Sequence, residues 1–185
     1  MVLEHGAGKE KRKAIFDILS NINGQEVDGE TVNEIFNVFK KKLTKAYEEL
    51  RVTSYEGVET LFAYLKEKGV KIVLNTGYDQ KTAQGLMDKL DWRIGHQIDD
   101  LITADDVKMG RPSAEMIELA MNRFSIKDAS RVLKAGDSII DIEEGKNAHC
   151  GITVGVLTGA QTREQLASAK PTKILKSLAE LRNVI

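Results

Sequence analysis

Beyond residue 53, short apolar runs alternate with stretches of helical periodicity, and no other feature narrows the fold as far. Residues 70–74, 101–103, 132–135 and 153–157 read as strands. Residues 56–68, 80–90, 114–124 and 140–148 read as helices, with shorter helices over 163–169 and 174–181. Ser54 is a candidate cap for the first of these helices and Gly69 its stop. Strands separated by whole helices pair in parallel, because each helix serves as a crossover and covers a face of the sheet. The expected class is therefore α/β, a three-layer α/β/α core of Rossmannoid type around a parallel sheet.

The first 52 residues read as helix alone. Residues 9–19 carry Ile15, Ile18 and Leu19 on one face, and residues 21–29 are a polar break. Residues 30–50 then place Ile35, Phe39, Leu43, Tyr47 and Leu50 at helical spacing. Val27-Asp28-Gly29-Glu30-Thr31 reads as a turn and helix start. A hairpin of two amphipathic helices needs a surface to pack on. The expected organisation is a helical unit over 1–52 and an α/β unit over 53–185.

Composition narrows the function classes. With 42% hydrophobic and 30% charged residues, the chain is globular rather than disordered. A net charge of -1 gives no electrostatic reason to expect nucleic acid or an anionic membrane as partner. No apolar run approaches the ~20 residues of a membrane span. Cys150 is the sole cysteine, which leaves no internal disulfide and fits a reducing cytoplasm, the expected location. His5, His96 and His149 lack metal-ligand spacing, Trp92 reads as a packing residue, and Lys40-Lys41-Lys42 reads as a solvated helix face.

Chemistry-bearing residues fall at the strand ends. Val132 to Asp141 (VLKAGDSIID) is a strand ending in Gly-Asp, with a second carboxylate four residues after the first. Open α/β folds bind ligands at that edge, and if a helix follows, Asp137 and Asp141 share one face. Two such carboxylates suit a hard cation such as Mg²⁺; equally, Asp137 or Ser138 serves as a helix cap. Residues 70–74 run into Asn75-Thr76-Gly77-Tyr78, a hydroxyl at a strand end that either caps the next helix or holds an anion with backbone amides. Arg111, in Gly110-Arg111-Pro112, is either a solvated loop charge or a two-pronged donor to a phosphate or carboxylate.

Taken together, Thr76, Arg111 in GRP and Asp137/Asp141 in GDSIID resemble motifs II, III and IV of the haloacid dehalogenase (HAD) superfamily. Residues 147–160 (NAHCGITVGVLTGA) are similar to the segment after motif IV in that group, and the resemblance spans essentially the whole chain. Arg in GRP, where most members have Lys, and Tyr78 after the motif II hydroxyl resemble the phosphonatase branch, that of phosphonoacetaldehyde hydrolase. The resemblance implies an α-helical cap over the site, catalytic roles for Thr76, Arg111 and Asp141, Mg²⁺ held by Asp137, and Gly77, Tyr78 and Arg12 beside the substrate.

The same branch carries a cap lysine in a Gly-x-x-Lys setting, matched by Gly6-Ala7-Gly8-Lys9. That lysine forms a Schiff base with an aldehyde and turns the neighbouring carbon into an electron sink, so that a C–P bond breaks. Such a lysine must be neutral, which nearby cations (Lys11, Arg12 and Lys13 here) favour. The phosphonatase pattern has His three residues after the lysine, where this chain has Arg12. A P-loop reading of Gly8-Lys9 fails, because Leu3 replaces the first Gly and Glu10 the Ser/Thr.

One family element has no match. The first motif is an apolar strand ending in Asp-x-Asp, or Asp-x-Ala-Gly-Thr in the phosphonatase branch. It carries the nucleophile and lies at the centre of the sheet, before the cap. This sequence opens in the cap, at Met1-Val2-Leu3-Glu4. The expectation is a fragment, or a chain without its N-terminal part, whose strands from Ile72 and Val132 each lack a neighbour. The expected activity is Mg²⁺-dependent cleavage of a 2-oxoethylphosphonate. The alternatives are a phosphomonoesterase of phosphoglycolate-phosphatase type and a catalytically dead remnant kept for oligomer contacts. The expected partners are a small phosphorylated or phosphonate substrate and a second copy docked through the cap helices.

Overall fold

A computed structural model describes residues 11–23 and 27–185. Two helices, α1 (Lys11–Asn23) and α2 (Gly29–Glu49), pack on each other and bury Ala14 and Val32. Asp28 caps α2, accepting the Thr31 amide at 2.8 Å and the Thr31 hydroxyl at 2.7 Å. The apolar stripe of α2 is only partly covered, with Ile35 39% and Val38 54% exposed.

The next helix, α3 (Val58–Glu67), buries Val58, Leu61, Phe62 and Leu65, an i, i+3, i+4, i+7 stripe. Its cap is not Ser54. The turn into it uses Gly57 at φ +78°, a left-handed conformation that only Gly adopts freely, and Ser54 Oγ instead donates to the Tyr55 carbonyl. Gly69, at φ +73°, ends the helix as expected.

All strand pairing within the sheets is parallel. Strand β1 (Val73–Asn75) pairs with β2 (Asp100–Ile102), and helix α4 (Gln80–Leu90) connects them. Strand β3 (Leu133–Gly136) pairs with β4 (Ile152–Val156), and β4 with β5 (Lys173–Leu175). The crossovers are α5 (Glu115–Arg123) between β2 and β3, α6 (Ile139–Asn147) between β3 and β4, and α7 (Arg163–Ser168) between β4 and β5. The expected helix over 174–181 is absent. Lys173–Leu175 adds to the open edge of β4, matching Ile174 with Gly155, and only Leu178–Asn183 turns helical, as a 3₁₀ segment.

Among the described residues no ladder joins β1 to β3. The two sheets flank a cavity of about 610 Å³ whose walls include Val73–Asn75, residues 132–136, Phe62 and Met116. One hydrophobic cluster still spans both sheets, running from Ile72, Ile98 and Leu101 through Leu61 and Phe62 to Val154 and Val156. Each such side chain contributes roughly 1.5–3 kcal/mol of burial. Trp92 belongs to this cluster; its ring centroid lies 5.1 Å from that of Phe62 and its Nε1 donates to Glu59 at 3.2 Å. No helix among the described residues is long and apolar enough to cross a membrane.

Candidate functional site

The corner after β3 is built around Asp141. Ser138 caps α6, and Asp141 closes a capping box with it: Oδ2 accepts from the Ser138 hydroxyl at 2.6 Å and from its amide at 3.2 Å. Oδ1 accepts from Arg111 Nη1 at 2.7 Å and pairs with Lys134 Nζ at 3.1 Å. The side chain is only 5% exposed. Burial opposes its ionisation, but the Lys134 and Arg111 charges and the Ser138 hydroxyl overcome that and hold the carboxyl at about 2. Gly136 makes the approach possible, since a Cβ there would stand 2.2 Å from Asp141 Cγ.

The expected pair of open carboxylates is therefore unequal. Both oxygens of Asp141 are committed to protein donors, which makes it an anchor for Arg111 and Lys134. Asp137 remains solvent-accessible. Crowding by surrounding atoms, and then the charge of Asp141, push its carboxyl above the usual range. Gly159 backs it so closely that a Cβ would lie 2.0 Å from Oδ2.

Three residues that the sequence reading passed over complete the cluster. Lys134, 7% exposed, pairs with Glu144 at 2.8 Å and donates to Asn75 Oδ1 at 2.6 Å. Asn75 Nδ2 in turn donates to Glu144 Oε1 at 2.7 Å, and Glu144 is fully buried. The signal was present: a lysine inside an otherwise apolar strand, and a glutamate one helical turn beyond Asp141. Two buried cations face two buried anions, so the cluster is neutral and Asp137 is its additional charge. Arg111 Nε is buried without a hydrogen-bond partner. The predicted two-pronged donor thus makes one contact to a carboxylate and keeps a second donor in reserve.

Thr76 follows β1 directly. Its amide donates to the Ile102 carbonyl at 2.9 Å, and its hydroxyl oxygen accepts the Tyr78 amide at 3.2 Å. That leaves the hydroxyl proton to donate. Gly77 and Tyr78 line a cleft of about 360 Å³ against the helical hairpin, opposite Lys11, Arg12, Phe36 and Lys40. Arg12 lies 4.3 Å from the Phe36 ring centroid and donates to Asn33. Two contacts tie α2 to this wall: Tyr47 and Tyr78 share a hydrogen bond of 2.8 Å, and Lys40 pairs with Asp79 at 2.5 Å. Lys40 therefore departs from the solvated face expected of residues 40–42. Burial opposes ionisation of Asp79, yet Lys40 and Thr82 hold it at about 2. Burial and the Tyr78 hydrogen bond push the Tyr47 phenol up.

The structure thus brings Arg111, Asp137 and Asp141 to one sheet edge and links them to Thr76 through Asn75 and Lys134. Gly77, Tyr78 and Arg12 line the adjoining cleft. Lys9 lies outside the described residues. Cys150 is half-buried, its thiol pushed up to about 11 by burial, which suits a structural residue. Among the described residues no group of three His, Cys, Asp or Glu is placed to hold a metal on its own.

A family model for haloacid dehalogenase-like hydrolases matches residues 5–149. The chain belongs to that family. Within it, the HAD-like chain is related to a phosphonoacetaldehyde hydrolase from Parabacteroides distasonis, 33% identical over 150 residues, covering 80% of this chain and 56% of the relative. It thus spans little more than half of that relative's length. Among solved structures it is similar to a hydrolase from Pseudomonas syringae, with TM-score 0.82 and 22% identity over 98% of this chain and 80% of that one. It is also similar to a predicted phosphoglycolate phosphatase from Haemophilus somnus, with TM-score 0.77 and 18% identity over 99% of this chain and 80% of that one. At these identities the two structures speak for the fold.

Proposed function

We propose that this HAD-like chain supplies the anion- and metal-holding part of a phosphonatase site, one that cleaves the C–P bond of a 2-oxoethylphosphonate. The observation that carries the reading is Arg111, clamped by Asp141 with its Nε buried and unpartnered at the edge where Asp137 stays open. A tetrahedral oxyanion supplies what that donor lacks, and the relation to a phosphonoacetaldehyde hydrolase favours a phosphonate.

Asp137 fits Mg²⁺ as one oxygen ligand, because this ion is commonly held by one or two carboxylates, with waters and phosphoryl oxygens completing its shell. Desolvation by surrounding atoms and then the neighbouring Asp141 charge raise its proton affinity, and a bound cation would offset both. When bound, Mg²⁺ neutralises charge on the transferring group. Arg111 donates to a phosphoryl oxygen from a fixed position, and the Thr76 hydroxyl donates to another, so catalysis rests on positioning and electrostatics. In this reading Lys9 condenses with the substrate aldehyde, losing water, and the iminium draws the electron pair of the breaking C–P bond onto carbon. Attack on phosphorus belongs, by the family resemblance, to an Asp without counterpart in these 185 residues.

The test is borohydride trapping with an aldehyde phosphonate, followed by peptide mapping. A reduced adduct on Lys9 supports the reading, and the absence of any adduct under saturating ligand rejects it. The second reading is a phosphomonoesterase, favoured by Arg12 in place of the phosphonatase His and by the likeness to a predicted phosphoglycolate phosphatase. In that case Lys9→Arg leaves binding of a phosphate monoester unchanged and trapping fails.

A further inference from the structure

Building on the reading of Arg111 as an anion donor, we propose that Glu115 and Asn147 are its positioning residues. They fix where its guanidinium meets the anion and do not touch the anion themselves. Arg111 sits in the connection between β2 and α5, whose residues 107–113 form neither helix nor strand. Lys108 and Met109 are exposed, so apolar burial does little to hold their backbone. Yet the Arg111 side chain is only 12% exposed, and a binding group must be held to within about 0.5 Å to be useful.

Polar contacts supply that order from both sides. One oxygen of Glu115, Oε2, accepts the amides of Lys108 and Met109, each at 2.9 Å. Glu115 opens α5, so its carboxylate ties the first half of the loop to a helix end. A carboxylate accepting an amide makes a stronger bond than a neutral acceptor does. Beyond Arg111, Asn147 Nδ2 donates to the Pro112 carbonyl at 2.8 Å. The Ser113 amide donates to the Gly110 carbonyl at 3.1 Å, closing a turn with Arg111 and Pro112 at its centre. The backbone is thus held just before Arg111 and just after it.

Asn147 adds a second constraint. It is the last residue of α6, the helix whose first turn carries Asp141. That one helix therefore grips Arg111 twice, near its backbone through Asn147 and at Nη1 through Asp141 Oδ1, 2.7 Å away. A helix rises about 1.5 Å per residue, so the two anchors stand about 9 Å apart along the axis. With both ends referred to one rigid element, the side chain keeps one rotamer and its unpartnered Nε keeps one direction.

The experiment uses the full chain with Mg²⁺ and methylphosphonate, a tetrahedral oxyanion without an aldehyde, in a titration followed by phosphorus NMR. Glu115→Ala should weaken binding by about tenfold. Asn147→Asp, which removes the donor with little change of shape at an exposed position, should weaken it by a similar factor. Glu115→Gln keeps an acceptor oxygen and should recover most of the affinity. A double-mutant cycle decides between positioning and a merely structural role. With Arg111→Ala in place, neither change should have a further effect, because no guanidinium remains to be misplaced. An effect of the same size in that background overturns the proposal, and so does full affinity in both single variants. The Arg111 Nε–H resonance supplies a measurement without ligand. It should shift and exchange faster in Glu115→Ala and Asn147→Asp, with the amides of β4 as protected as before. An unmoved resonance, or loss of protection throughout β4 in both variants, overturns the proposal. If Arg111→Ala binds methylphosphonate no more weakly than the native chain, the reading of Arg111 as anion donor falls and the proposal with it, so the two failures are told apart.

Discussion

Lys134 Nζ lies 2.6 Å from Asn75 Oδ1, so a buried side chain of β3 spans to the last residue of β1, on a strand with which β3 shares no ladder. This contact makes the Lys134 cluster a structural bridge as well as the support of the site.

Removing the bridge's cation should be costly. Lys134→Met leaves Asp141 and Glu144 short of positive charge in a site closed to water, and breaking a buried pair in this way typically costs about 3–5 kcal/mol. Urea unfolding should show that loss. Adding Glu144→Gln should recover part of it, because one uncompensated charge is then gone.

The pH dependence of stability should carry two opposite signs. Asp141 is held at about 2 against an ordinary 3.8. Its ionised form therefore stabilises the fold above pH ~4, and that contribution, about 2 kcal/mol, fades as pH falls through about 2. Asp137 is shifted upward, so its ionised form weighs against the fold at neutral pH. Asp141→Asn should flatten the acid limb of the stability profile, whereas Asp137→Asn should raise the neutral-pH midpoint of thermal unfolding.

Two glycine substitutions should separate in sign. Gly136→Ala forces a methyl into Asp141 and should cost about 1–3 kcal/mol, with loss of the Arg111 contact visible in affinity for a phosphonate. Gly85→Ala, within α4 and with nothing within 4 Å of the added methyl, should stabilise by about 0.5–1 kcal/mol.

The tie between α2 and the core should be weak but measurable. Lys40 is half-exposed, so its pair with Asp79 is worth less than about 1 kcal/mol. Combining Lys40→Ala with Tyr47→Phe should speed hydrogen exchange in α2 several-fold and leave the amides of β4 unchanged.

Period and punctuation made most of the fold legible. The alternation beyond residue 53 predicted parallel pairing, and the glycine after residue 68 predicted the end of α3. The error at 174–181 has a clear cause: Lys173–Leu175 is too short to show a period, and it becomes a strand because the edge of β4 is free to pair with it. Within the site, Thr76, Arg111, Asp137 and Asp141 stood out because each follows an apolar run or precedes a helix. Lys134 and Glu144 carried a weaker sign, a lysine in an apolar strand and a glutamate one turn past Asp141, but their partners were hidden, since ion pairing across 10 residues and hydrogen bonding to Asn75 across 59 leave no local pattern. The difference between the two aspartates was equally hidden, because it depends on donors arriving from Arg111, 30 residues away.

The saturation of Asp141 divides the mouth of the sheet into a fixed half and a responsive half. Asp141, Arg111, Lys134 and Glu144 balance one another's charge, so an arriving ion gains little by displacing any of them. The electrostatic sensitivity of the mouth is thereby concentrated on Asp137. Whatever binds there, whether a proton or a divalent cation, is read by a single carboxylate against a constant background.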